Sequence, residues 1–156
     1  MENLEQKAQF LRKEYIDILA SLDAHAPRKW GKMNVQQMIE HMADYVRIAS
    51  GKTPTAVVTP EENLQRMQGF LESEKPFREN TPNALMPDTP EPARHRTKDE
   101  AIHELQQEIE HFFMAHERDG NKTTANPFFG NLNFNQQIQL LHKHATHHLR
   151  QFGLNY

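Results

Sequence analysis

The segment FNQQIQLLHKHATHHLRQFG, residues 134–153, carries four of the chain's ten histidines, and its periodicity decides which of them face inward. Phe134, Ile138, Leu141, Ala145, Leu149 and Phe152 recur at steps of three and four, the repeat of an amphipathic helix, and Asn133 stands where an N-cap belongs. At about 100° per residue these apolar side chains share one sector, which must face a core. His144 and His148 fall together on one shoulder of that sector, about 40° apart. His142 lies on the opposite shoulder and His147 on the far side.

The same repeat marks three more helices. Leu4, Ala8, Leu11, Tyr15, Ile18, Leu19 and Leu22 predict helix one over residues 4–22. Pro27 and Gly31 punctuate the connection to helix two, which Asn34 caps, Gly51 closes, and Val35, Met38, Met42, Tyr45, Val46 and Ala49 stripe. Thr97 with Glu100 forms a capping box ahead of Ala101, Ile102, Leu105, Ile109, Phe112 and Phe113, a third helix running to about Arg118. Between them a short helix near residues 61–72 is followed by Pro76, Pro82, Pro87, Pro90 and Pro92, which exclude a regular element from residues 75–96. DGNKTTANPFFGNLN, residues 119–133, reads as a polar loop, and nowhere does strand alternation appear.

Four amphipathic helices without strands or repeats predict an all-α, four-helix bundle, a single domain spanning residues 1–156. The long crossover between helices two and three allows an up-down-down-up order. A length of 156 residues with 37% hydrophobic content supports one core. The net charge of -3 comes without a basic stripe, so nucleic acid is not an expected partner. The absence of cysteine excludes disulfides, thiolate ligands and a cysteine nucleophile, leaving nitrogen and oxygen to hold any metal. MENLEQKAQFLRKEY lacks the apolar centre of a signal peptide, and no run approaches about 18 apolar residues; the expected location is the cytoplasm, away from membranes.

An i, i+4 pair is separated by about 6 Å along a helix, and two imidazoles can converge across that gap on one ion at about 2.0–2.1 Å each. A third ligand has to come from another helix. On helix two, His41 sits among Met38, Met42 and Tyr45. One histidine on an apolar face is ordinarily a core residue bonded to a neighbour, but a buried polar group left unsatisfied costs about 1–3 kcal/mol. Three inward imidazoles therefore call for a common partner, and a divalent ion serves all three. Zinc is the first expectation, with nickel, iron or manganese as alternatives, because imidazole binds most first-row divalent ions and the ligand set alone does not choose. Three such ligands leave a coordination position open, as in catalytic sites. Asp44, about 60° from His41 on the wheel, is the candidate general base or orienting carboxylate, whereas Glu40 points about 100° away. Gln37 and Tyr45 lie one turn either side of His41. His116 sits near the C-terminal end of helix three, suited to unpaired carbonyls, while His25, His95, His103, His111 and His147 read as loop or solvent-facing residues.

Two segments, WGKMNVQQMIEHMADYV (residues 30–46) and NPFFGNLNFNQQIQLLHKHATHHLRQFG (residues 126–153), resemble the DinB-like superfamily of small metal-binding four-helix bundles. They are most similar to an uncharacterised branch with Trp-Gly-x-Met before helix two and a His-His-Leu-x-Gln-Phe-Gly ending. The matching segments are a little under a third of the chain. The resemblance implies a divalent metal held by one histidine of the second helix and an H-x3-H pair of the last, which are His41, His144 and His148 here. Asn126 departs from the pattern, where histidine is expected. The function implied is that of a metal-dependent enzyme, a thiol-dependent transferase or a hydrolase, acting on a small molecule with a low-molecular-weight thiol as cosubstrate. The other reading is a non-catalytic, metal-stabilised bundle that binds a ligand or forms a homodimer through an exposed apolar helix face. In both, Gln151, Phe152 and Gly153 pack the helix that presents the histidine pair.

Overall fold

The computed structural model describes residues 1–81 and 85–156; Pro82, one of the prolines of the crossover, lies outside them. Helix α1 is built from three consecutive pieces, Leu4–Gln9, Phe10–Glu14 and Tyr15–Ser21, the middle one wound as a π-helix. It is followed by α2 (Val35–Ser50), α3 (Glu61–Glu72), α4 (Lys98–Arg118) and α5 (Phe134–Gln151). The described residues are thus all-α in class, with one small antiparallel ribbon, β1 (Thr124–Asn126) and β2 (Gly130–Leu132). Among them, no helix is long and apolar enough to cross a membrane.

The helix ends follow from the residues that mark them. Asn34 Oδ1 accepts the Gln37 amide and Gln37 Oε1 accepts the Asn34 amide, a reciprocal pair that satisfies two donors no helix can satisfy internally. Asn133 and Gln136 repeat it at the head of α5. At α4 only half of the expected box forms: the Thr97 hydroxyl accepts the Glu100 amide, but the Glu100 carboxylate accepts from the Arg96 amide instead. Gly51 ends α2 with φ 82°, a left-handed conformation that glycine adopts without a Cβ clash.

The hairpin corrects the expectation that residues 119–133 hold no strand. Three-residue strands are too short to show alternation, and what makes the turn is local. Asn126 Oδ1 accepts the amides of Phe128 and Phe129, and Gly130 supplies φ +79° where β2 begins. The ribbon is then pinned on both sides. Val58 donates its amide to the Pro127 carbonyl, Gln68 donates to the Phe129 carbonyl, and the Thr124 hydroxyl donates to Ala49 at the end of α2.

The main core joins α1, α2, α4 and α5 through residues such as Tyr15, Leu19, Met38, Ile39, Met42, Leu105, Phe112, Leu141 and Leu149. A second cluster of Leu71, Phe129, Leu132 and Leu140, flanked by Phe70 and Phe77, seals α3 and the hairpin against α5. The crossover is fastened along its length. Gln37 and Gln36 donate to the carbonyls of Glu91 and His95, and the buried carboxylate of Glu40 accepts the Arg94 amide. These contacts hold residues 91–95 against the first half of α2, the helix that carries His41.

Candidate metal centre

The capped head of α2 and the long α5 bring His41, His144 and His148 together, their ligand atoms all within 4.8 Å of one another. His144 Nε2 stands 3.1 Å from His41 Nε2 and 2.9 Å from His148 Nε2. Ligands at about 2.0–2.1 Å in a tetrahedral shell are about 3.3 Å apart, so the two contacts of His144 lie within a few tenths of an ångström of what an ion needs, and His41 and His148 would draw together from a separation within 4.8 Å.

Proton counting points the same way. The Gln151 amide donates through Nε2 to the Trp30 carbonyl, which leaves its Oε1 as the acceptor facing His148 Nδ1 at 2.9 Å. His148 must therefore carry its proton on Nδ1 and present a bare lone pair at Nε2. A single proton on His144 Nε2 satisfies one of its two short contacts and not both. A cation at the point of convergence satisfies all three nitrogens.

The imidazoles are neutral and ready to ligate. Burial pushes His41 down to about 4, with the charge of His147 acting in the same direction. Burial drives His144 and His148 well below the ordinary histidine range, and each is lowered further by its histidine neighbours. His148 is buried, whereas His41 and His144 retain partial access to solvent, so the cluster has an open side. Tyr45 lies on that cluster, its ring centroid 4.9 Å from both His41 and His144, and Phe77 faces His144 edge-on at 6.2 Å.

The remaining candidates are placed elsewhere. Asp44 is exposed on α2, its carboxylate accepting from Arg47 and Arg94, and it does not join the histidine group. Glu40 is buried against the crossover, as its wheel angle requires. Gln37 is used in the α2 cap and in holding Glu91. His116 is buried and donates from Nε2 to the Ala49 carbonyl, the last turn of α2 rather than of its own helix. His142 packs edge-on against Phe10 at 5.2 Å. His25, His103 and His111 are exposed as expected.

Two histidines correct the expectation of solvent-facing rings. His147 is half-buried between Trp30 at 5.5 Å and Phe77 at 5.7 Å, because the loop before α2 and the crossover cover the side of α5 that a bare wheel leaves open. His95 is half-buried too, its Nε2 3.0 Å from the Glu104 carboxylate. Phe77 and Gln151 are the site residues that sequence reasoning missed. Phe77 lies in a proline-rich stretch without periodicity, and Gln151, a polar residue one turn beyond His148 in the His-His-Leu-x-Gln-Phe-Gly ending, reads as packing alone.

Comparison with family models, with curated proteins and with solved structures returns no match for this chain.

Proposed function

We propose that the chain is a metal-dependent enzyme of the DinB-like kind, in which His41, His144 and His148 hold a divalent ion, zinc foremost, for a thiol-dependent transfer to a small molecule. Convergence of three neutral Nε2 atoms on one point, with an open side, is the observation that carries the reading. The sharing of one core by α1, α2, α4 and α5, with α3 set apart in the crossover, supports a four-helix bundle, and the length of that crossover allows the up-down-down-up order.

Bound there, the ion would supply Lewis acidity, polarising and acidifying a small molecule brought to the open position. The choice between thiol transfer and hydrolysis rests on what surrounds the histidines. Hydrolysis calls for a general base within hydrogen-bond reach of the attacking water. Among the described residues no carboxylate joins the histidine group, and Asp44 is engaged by two guanidinium groups. A thiol, with an ordinary pKa of about 8.5, needs far less help to ionise than water does. The chain has no cysteine, so the thiol belongs to a cosubstrate. Tyr45 and Phe77 flank the open side and suit a cosubstrate or substrate with apolar surface.

The test is elemental analysis of protein purified without a histidine tag, beside His41→Ala, His144→Ala and His148→Ala. About one ion per chain is expected in the wild type, with loss in each variant. Wild-type metal content in all three variants would overturn the site. Turnover in a thiol-transfer screen, absent from an ester-hydrolysis screen, would support the reaction class.

A further inference from the structure

We infer that Gln151 is the positioning residue of this centre, fixing the tautomer and orientation of His148, and that Gly31 is required for it to do so. The inference rests on the three-histidine reading and adds the part of the chain that aims one of the ligands.

The argument starts from an atom that has no choice. The Trp30 carbonyl can only accept, and Gln151 Nε2 lies 2.9 Å from it. Turning the amide over would set two carbonyl oxygens against each other, so its orientation is determined by the main chain of residue 30. Oε1 is thereby aimed at His148 Nδ1, which must donate. Both side chains are buried, and no solvent competes for the bond. The consequence appears at the far side of the ring, where Nε2 is left bare and directed at the cluster, 2.9 Å from His144 Nε2. Metal-binding histidines are commonly held by a partner on the other ring nitrogen, and losing such a partner weakens metal affinity about 10- to 100-fold.

The loop before α2 is built around the same residue. The Lys29 amide donates to the Gln151 main-chain carbonyl at 2.7 Å, so residues 29 and 30 grip Gln151 by backbone and side chain together. Gly31 adopts φ +80°, and a Cβ there would stand 2.3 Å from Gln151 Nε2. Any other residue at 31 has to displace the amide. The Trp-Gly pair before α2 and the Gln151 ending of α5, about 120 residues apart, are thus the two halves of one device. By linkage, anything that loosens the loop weakens the ligand, and loading of the site tightens the loop.

The experiment titrates cobalt(II), a spectroscopic stand-in for zinc, into untagged wild type, Gln151→Leu, Gln151→Glu and Gly31→Ala. The position of the His148 proton is read in the metal-free proteins by nitrogen-15 correlation spectra. The wild type is expected to show Nδ1–H. Gln151→Leu should lose that preference and bind cobalt about 10- to 100-fold more weakly, and Gly31→Ala should follow it. Gln151→Glu keeps an acceptor for His148 but loses the donor to the Trp30 carbonyl, so it should recover the Nδ1–H form with an affinity between those of the wild type and Gln151→Leu, which a merely structural role would not produce. Unchanged affinity together with a retained Nδ1–H in Gln151→Leu overturns the inference. A wild type that fails to bind cobalt but shows Nδ1–H, lost in Gln151→Leu, refutes the metal reading and leaves the positioning role standing.

Discussion

Zinc should raise the thermal stability of the wild type, and His144→Leu should abolish the rise without unfolding the protein. At free zinc a hundred times its dissociation constant, a ligand that binds only the folded state adds about 2.7 kcal/mol. Unfolding entropy near 60 °C is about 2.1 cal/mol/K per residue, which for 156 residues is about 0.33 kcal/mol/K. The midpoint should therefore climb by about 8 °C. Some of this is lost because the unfolded chain's ten histidines also bind zinc. His144 is the choice because its Nε2 makes both short contacts, at 3.1 and 2.9 Å. Leucine fills similar volume, and its removal of one unsatisfiable nitrogen offsets the lost contacts. The metal-free variant should melt within about 3 °C of the metal-free wild type, the equivalent of about 1 kcal/mol. Scanning calorimetry with chelator, then with buffered zinc, measures both quantities. A variant that keeps the wild-type zinc response would refute the placement of the ion. A metal-free variant that melts far below the wild type would refute the argument that the three nitrogens lack a complete set of hydrogen bonds.

Two further outcomes follow from charged groups that point away from the centre. The Lys143 ammonium donates to the carbonyls of Phe70, Ser73 and Lys75 where α3 ends, and Lys143→Met should cost about 2–3 kcal/mol in urea unfolding, since three acceptors lose a charged donor. Unchanged stability would mean that water replaces the ammonium. The Glu74 carboxyl is held down to about 2, chiefly by the hydrogen bond from the Lys7 ammonium, against burial that pushes it up. Its folded value lies below its unfolded one, so the contribution is complete above about pH 4.5 and is lost as pH falls through about 2. Lys7→Met should flatten the fall in urea midpoint across that window, and an unaltered slope would count against the pair.

The parts of the molecule legible in the sequence are those governed by periodicity and by local hydrogen bonding. Asn34, Thr97 and Asn133 cap where their side chains reach the backbone three residues on, a decision made within one turn. His41, His144 and His148 were selected by helical angle, and the structure brings those three together. Helical angle failed where a helix has more than one covered face. Helix α5 packs against α1 and α2 on one side and against α3 and β2 on the other. Gln137, Gln139, Lys143, Thr146 and Gln151 are consequently buried although they stand outside the apolar stripe. Thr146 donates back to carbonyls of its own helix, but the partners of the others include carbonyls and side chains of distant segments, such as Ser73 for Gln139 and Thr124 for Gln137, and no spacing within α5 announces them.

The departure at Asn126 belongs with these unannounced contacts. Histidine was the expectation there, yet Asn126 is buried and its carboxamide oxygen accepts two amides, from Phe128 at 2.9 Å and Phe129 at 3.2 Å. An amide oxygen has two lone pairs for that task, whereas a neutral imidazole offers one acceptor nitrogen. The turn so formed sets Phe129 in the second cluster, 6.4 Å from Phe77, and Phe77 in turn faces His144 at 6.2 Å. Asn126 thus acts on the centre through packing. It shapes the aromatic wall beside His144, and a histidine in its place would have to give up one of the two amides that hold the wall where it is.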